Sequence, residues 1–322
     1  MSVKEFVLKK LEENRGIPLS GEAIANSLSV SRAAVWKAVR ALEAEGYHIE
    51  AVPNQGYTLC TDNDLLSTQG ILPYLTPPLK SREIRVFPCL PSTNQEAKRM
   101  ALESAEQGSA VLAEEQSAGR GRLGRSFFSP RGNGLYMSVI LRPKADVSNA
   151  VLITTAAAVG VCRAIDMVTG RHPQIKWVND LYLNEKKICG ILTEAVTNFE
   201  TGVIESVVVG IGINFKGSQS TLPEELRHKA GFLYTDEPPA TTRNHLAAEI
   251  INQLCILCDT LELRSFLPEY RMRSMIIGEQ IRFLRNQVWS EALAVDIDDN
   301  GGLIIALSLI HISEPTRLAL IS

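Results

Sequence analysis

The sequence predicts an α+β chain of several domains: an N-terminal helical module closed by a hairpin, a central region of mixed strands and helices, and a strand-rich C-terminal segment. Three observations carry that reading. Residues 1 to about 62 show short helical periods followed by a hairpin pattern, residues 81 to 273 alternate strand and helix patterns, and only strand patterns follow Gly278. With 322 residues and 45% hydrophobic content, the chain is long enough for two or three domains. The expected organisation is a first domain over 1–62, a linker over 63–80 marked by Pro73, Pro77 and Pro78, a central domain over 81–274, a partial domain over 275–306 and a tail over 307–322.

Composition narrows the function classes. The run Ala150 to Ile165 is broken by Thr154, Thr155 and Arg163, is too short to span a bilayer, and reads as a buried helix. The N-terminus sets Lys4, Glu5, Lys9 and Lys10 on an amphipathic pattern unlike a signal peptide, so a cytoplasmic location and no membrane partner are expected. Six scattered cysteines suggest reduced thiols. Cys255 and Cys258 form a CxxC inside an apolar helical run without a second Cys or His pair, so core packing is expected there and no metal site anywhere. The net charge of -3 gives no global sign of nucleic acid.

In the first domain, Ser20 caps a short helix with Ile24 and Leu28 inward. After a turn at Ser29 and Val30, Ser31 caps a second helix whose inward stripe is Val35, Val39 and Leu42. This is a helix-turn-helix pattern that turns Ser31, Arg32, Ala33, Trp36, Lys37 and Arg40 outward toward a DNA groove and phosphates. Tyr47 to Val52 and Tyr57 to Leu59, joined through Pro53, Asn54, Gln55 and Gly56, read as the wing of a winged helix. The first 60 residues hold seven Lys/Arg and seven Asp/Glu, so a protein-docking module is the competing reading. Clustered cations on one face favour DNA. Trp36 fits either an exposed position or one under the wing.

In the central domain, Gln116 to Arg125 reads QSAGRGRLGR after the strand pattern Ala110 to Glu114. Gly119, Gly121 and Gly124 match a dinucleotide fingerprint formally, but the loop runs into Phe127, Phe128, Ser129 and Pro130 rather than opening a helix. Arg120 and Arg122 between glycines suit a loop folding over an anionic ligand, or else a solvated basic loop. Ser92-Thr93-Asn94-Gln95 precedes a helix, Ser92 and Gln95 fitting a capping box, and its hydroxyls also suit a polar head group. Lys176-Trp177-Val178-Asn179-Asp180 ends a strand, and a hairpin turning near Asn184 and Glu185 returns through Lys187 to Gly190. An inward Lys187 would neutralise phosphate, whereas a lysine beside a hairpin turn is otherwise simply solvated.

Together these segments, with Gly210-Ile211-Gly212-Ile213-Asn214, resemble the biotin protein ligase family in order and spacing, over roughly residues 1 to 306 and including the winged helix of its repressor-bearing branch. The resemblance implies a catalytic domain like that of class II aminoacyl-tRNA synthetases and an SH3-like C-terminal barrel, truncated here. It implies that biotin and ATP, entering with Mg2+, give biotinyl-AMP, and that the biotinyl group passes to a lysine of the biotin carboxyl carrier domain of acetyl-CoA carboxylase. By resemblance Lys187 is the principal catalytic residue, with Arg120 and Arg122 closing over the adenylate. Biotin contacts fall to Ser92, Thr93, Asn94, Gln116, Arg120, Gly121, Arg122, Lys187 and Gly190, and the nucleotide side to Trp177, Asn179, Asp180 and Asn214. The branch further implies a homodimer that forms with biotinyl-AMP bound and then recognises operator DNA.

The chain departs from the family pattern at its end. Leu307 to Arg317 reads as a translated transposase-type sequencing adapter, so Leu307 to Ser322 is excluded from the fold reading and expected to be poorly tied down or forced into a surrogate strand, and His311 receives no role. Three competing readings are a lipoate ligase of similar chemistry, a sensing repressor without turnover, and a ligase whose winged helix no longer binds DNA. The GRGR loop followed by KWVND favours biotin over lipoate, and Lys187, Arg120 and Arg122 favour turnover.

Overall fold

The computed structural model describes residues 1–52, 55–143, 150–197, 204–285, 288–307 and 316–318. The chain divides into two compact units, one of Met1–Lys80 with Thr241–Glu249 and the other of Ser81–Ala240 with Ile250–Ser322.

The first unit opens with three helices, α1 (Val3–Glu13), α2 (Gly21–Leu28) and α3 (Arg32–Ala44), then a hairpin of β1 (Ile49–Val52) and β2 (Gly56–Leu59). Ser2, Ser20 and Ser31 cap the helices by accepting backbone N–H bonds, which satisfies donors the first turn leaves open. Val7, Leu11, Ile24, Val35, Val39 and Leu42 recur at helical spacing and meet Ile49 and Leu59 in one core. Of the expected wing turn, Pro53 and Asn54 lie outside the described residues. A short helix α4 (Thr68–Ile71) follows. Within this unit Asp64 accepts the backbone N–H of Arg243 at 2.7 Å and its Nε–H at 2.9 Å, while Asn244 accepts from the Ser67 amide at 3.0 Å. Asp64 and Ser67 of the expected linker are thereby tied to Arg243 and Asn244, to which no local sequence pattern links them.

In the second unit, β3 (Ile84–Phe87), α5 (Thr93–Leu102), β4 (Ala110–Ala113), β5 (Gly134–Leu141), α6 (Ala150–Thr169), β6 (Gln174–Lys176), β7 (Asp180–Leu183), β8 (Lys186–Thr197) and β9 (Ile204–Asn214) follow in turn. They form a seven-stranded sheet of order β3-β4-β5-β9-β8-β7-β6, antiparallel except for the β3–β4 pair. Strand alternation assigns the faces. On one face Val196, Val208 and Ile140 bury Ala97, Met100 and Ala101 of α5. On the other lies α6, where Thr154 donates to Thr193 Oγ1 at 2.9 Å. Helix α6 has the length and apolar composition to cross a membrane, yet 72% of its most apolar window is buried inside the fold.

A short parallel pair, β10 (Lys216–Gly217) with β11 (Tyr234–Thr235), precedes α7 (Arg243–Asp259) and α8 (Leu267–Arg273). Cys255 and Cys258 are buried on α7, and burial pushes both thiols up to about 12. The C-terminal strands β12 (Gln280–Arg285), β13 (Val288–Ile297), β14 (Leu303–Leu307) and β15 (Thr316–Leu318) form an antiparallel sheet in chain order. Thr316–Leu318 of the adapter-like tail thus supplies the fourth strand, while 308–315 and 319–322, His311 included, lie outside the described residues. The α+β multidomain class, with antiparallel strands at the C-terminus, is as expected.

Candidate active site

The sheet face that carries α5 opens, beyond the helix, into a cavity of about 690 Å³. Its floor follows from strand register: Ser138, Gly210 and Leu192 lie side by side across β5, β9 and β8, and next to them Tyr136, Gly212, Gly190 and Asp180. Glycine removes the floor where larger groups must lie. A Cβ on Gly210 would stand 2.0 Å from Asn94 Oδ1, and one on Gly212 would stand 2.4 Å from the Phe127 ring. Strand interiors disfavour glycine, so two here mark close approach rather than strand propensity.

At one end of the cavity the start of α5 is held by a network. Ser92 occupies the N-cap position without a side-chain cap bond, which corrects the expected capping box. Gln116 instead holds the first residue of the helix: its Oε1 accepts from the Thr93 amide at 2.9 Å and from Thr93 Oγ1 at 3.2 Å, and its Nε2 donates to Ser129 Oγ at 3.1 Å. The buried Ser92 hydroxyl is therefore not committed to the helix and borders the cavity. Asn94 donates to Glu194 Oε2 at 2.7 Å, and Ser138 Oγ lies 2.6 Å from its Oδ1. Burial raises the Glu194 carboxyl, but hydrogen bonds from Lys98 and Asn94 outweigh it and hold the group below its ordinary value.

At the other end stands Lys187, whose Nζ lies 2.7 Å from Asp180 Oδ1. An unbroken β8 would turn Lys187 to the face opposite Gly190. The register against β7 instead shifts, Leu181 facing Cys189 and Tyr182 facing Lys187, so that Ile188 has no opposite number. This bulge re-aims Lys187 into the cavity. Its backbone is fixed in turn by Lys229 O and the Gly231 amide, both at 2.9 Å. The sharp turn before it places Asn184 and Glu185 at φ 48° and 60°, which suits a two-residue hairpin.

The basic loop closes on itself: the Gly121 amide donates to Arg125 O at 2.7 Å and the Phe127 amide to Gly119 O at 2.9 Å. Arg120 is exposed at the cavity rim, and Arg122 donates to Asn179 Oδ1 at 3.1 Å. Asn179 Nδ2 donates to Ile191 O at 2.8 Å, tying that loop to the floor.

Most of the expected site residues converge. Ser92, Thr93, Asn94, Gln116, Arg120, Gly121, Arg122, Trp177, Asn179, Asp180, Lys187 and Gly190 all line the cavity. Asn214 does not: its Nδ2 donates to Gly231 O at 2.9 Å, so it braces the segment bearing Lys229 and Ala230. Trp177 borders the cavity but is buried, its indole N–H donating to Gly301 O at 2.9 Å. Sequence reasoning missed Phe127 and Tyr182 in the lining, Lys229 on a loop with no motif, and the Ser138 and Glu194 supports of Asn94. Strand alternation signals Ser138; nothing local signals Lys229.

In the first unit Ser31, the N-cap of α3, and Arg32, Ala33, Trp36, Lys37 and Arg40 on that helix are all exposed. Trp36 is 50% exposed with the Arg40 guanidinium 5.6 Å from its ring centre, which settles its two sequence readings in favour of exposure. Arg40 also pairs with Glu43 at 2.8 Å.

Residues 86–214 match the model of the Biotin/lipoate A/B protein ligase family, and residues 3–58 match an HTH domain. The chain is 33% identical over 302 residues to the bifunctional ligase/repressor BirA of Bacillus subtilis, covering 89% of each protein. It belongs to the bifunctional biotin protein ligase and repressor family. The family relative from Escherichia coli, also called bifunctional ligase/repressor BirA, is 29% identical, with 89% of this chain and 87% of the relative covered. In fold, this chain is similar to biotin protein ligase from Aquifex aeolicus, solved with biotin and ATP, at a TM-score of 0.61 and 24% identity over 73% of this chain and 95% of that one.

Proposed function

We propose that this chain joins biotin to ATP as biotinyl-AMP, transfers the biotinyl group to a lysine of the biotin carboxyl carrier domain of acetyl-CoA carboxylase, and represses transcription with biotinyl-AMP as corepressor. The observation that carries the ligase reading is one cavity holding Lys187, Arg120 and Arg122 at a glycine-emptied sheet face, opposite the polar network at the start of α5.

Two anions must react. A biotin carboxylate oxygen attacks the α-phosphorus of ATP, the bond to the β-phosphate bridging oxygen breaks, and pyrophosphate leaves. Lys187 and the loop arginines neutralise the charge that gathers there. Ser92, Thr93, Asn94 and Gln116 suit the ureido head of biotin, a donor and acceptor group at once. Gly121 and Gly190 admit the ligand beside them, and Trp177, Asn179 and Asp180, with Asn214 behind, belong to the nucleotide side. Magnesium enters with ATP as part of the substrate and offsets phosphate charge; among the described residues lining the cavity Asp180 is the carboxylate that would face it. The loop of Arg120 and Arg122 keeps water from the mixed anhydride until a lysine amine attacks its acyl carbon and AMP departs.

Residues 1–62 are the DNA-binding domain in this reading, 63–80 the linker, 81–274 the catalytic domain and 275–306 the C-terminal domain. Ser31, Arg32, Ala33, Trp36, Lys37 and Arg40 face operator DNA, supported by their shared exposure on α3. The adenylate-bound chain forms a homodimer in the cytoplasm: ordering ligand loops removes an entropy cost from a nearby dimer surface.

Pyrophosphate release with ATP and magnesium, offering biotin or lipoate, followed by transfer to a carrier domain, tests the ligase reading. Biotin-dependent release and transfer, both lost in Lys187→Ala, support it; no biotin-dependent release from the folded chain overturns it.

A further inference from the structure

Outside the cavity, the one cluster of His, Cys and carboxylate groups with metal-ligand spacing among the described residues lies on the wing hairpin of the first unit. One donor atom each from His48, Glu50 and Cys60 lie within 4.8 Å of one another. The arrangement follows from the hairpin. His48 and Glu50 are two apart along the β1 side, and so share a face, while Cys60 stands across from them, its amide donating to His48 O at 2.9 Å. Further backbone bonds anchor the strand ends, from Gly16 to Leu59 O and from Leu19 to Tyr57 O, both at 2.9 Å. The three donors are therefore carried on a fixed scaffold, and two of them are open to solvent.

A fourth residue supplies what a ligating imidazole needs. Asp62 Oδ1 lies 3.1 Å from His48 Nδ1. A carboxylate accepting the Nδ1–H sets the tautomer that presents Nε2, with its lone pair, to a metal. Thiolate, imidazole and carboxylate make a mixed set suited to a borderline-soft ion and poorly suited to magnesium or calcium. The set also leaves a fourth tetrahedral position for water. We propose that His48, Glu50 and Cys60 bind one zinc-class divalent cation on the wing, with Asp62 positioning His48. This runs against the sequence expectation of no metal site, which rested on the absence of a Cys/His pair near Cys255 and Cys258. The wing site is invisible to spacing rules because the hairpin brings Cys60 across to His48, to which its amide donates.

The probe is Co2+ added to the reduced full-length chain. One equivalent should bring up thiolate-to-cobalt charge transfer together with visible bands of tetrahedral intensity, and Zn2+ should bleach both. Cys60→Ser and His48→Gln should lose these bands while keeping the wild-type circular dichroism, and Asp62→Asn should weaken binding by roughly 10–100-fold. Cys89→Ser, which removes an exposed thiol elsewhere, should change nothing. No charge-transfer band in the wild type, or a band that survives Cys60→Ser or disappears in Cys89→Ser, overturns the proposal. Should a substitution at Cys60 or His48 disturb the fold, Glu50→Gln provides the same reading: cobalt affinity unchanged by it refutes the ligand set. Pyrophosphate release plays no part in these measurements, so they stand or fall separately from the ligase reading.

Discussion

Substituting Gly210 by alanine asks whether the cavity floor is empty because Asn94 must lie there. The added Cβ would stand 2.0 Å from Asn94 Oδ1, 2.7 Å from its Cγ and 2.9 Å from its Nδ2, so the whole amide obstructs it. Asn94 cannot simply rotate away, because Glu194 and Ser138 hold it at 2.7 and 2.6 Å in a buried setting. Overpacking costs about 1–3 kcal/mol, and breaking a buried hydrogen-bonded group adds about 1–3 kcal/mol, so a net loss of about 2–6 kcal/mol is expected. At about 2–4 °C per kcal/mol for a domain of this size, the melting temperature should fall by about 4–24 °C. Differential scanning calorimetry of the second-unit transition measures it, and biotin affinity should fall by more than about tenfold if Asn94 helps form the head-group site. The decisive variant is Gly210→Ala with Asn94→Ala, in which the obstruction is gone. Its destabilisation should fall short of the sum of the single effects by about 1–3 kcal/mol. Additivity within about 0.5 kcal/mol, or a neutral Gly210→Ala, refutes the close-approach explanation.

Lys187→Ala should lower the rate of adenylate formation by about 10²–10³-fold with the fold intact, as measured by pyrophosphate release. Trp177→Phe strips the Gly301 carbonyl of its buried partner and should cost about 1–3 kcal/mol in urea unfolding. Because the Glu194 carboxyl is held below its ordinary value in the folded chain, its contribution is present above the ordinary carboxylate range and fades as pH falls through the folded value; Glu194→Gln should therefore flatten the acid limb of stability against pH. Arg32→Ala and Lys37→Ala should each weaken operator binding and reduce its salt slope by about 1 for each phosphate no longer neutralised, leaving pyrophosphate release unchanged; unaltered salt slopes would argue for a docking module instead.

The sequence by itself determined the two helices capped by Ser20 and Ser31, the wing hairpin that follows them, and most of the motif residues that meet in the cavity. Those are local signals: apolar spacing, a capping hydroxyl, glycine beside arginine. Only the tertiary structure decided how the signals combine. Gln116, 23 residues from Thr93, accepts the first N–H of α5, and Ser92 makes no cap bond there. The bulge at Ile188 turns Lys187 to the Gly190 face, where strand parity alone would have turned it away. Asn214 leaves the cavity to brace a loop that delivers Lys229, a residue without any motif. The physical reason is common to all three. Which face a strand residue occupies, and which partner satisfies a buried polar group, depend on cross-strand register and long-range contacts, and these are set when the whole sheet packs rather than by any window of sequence.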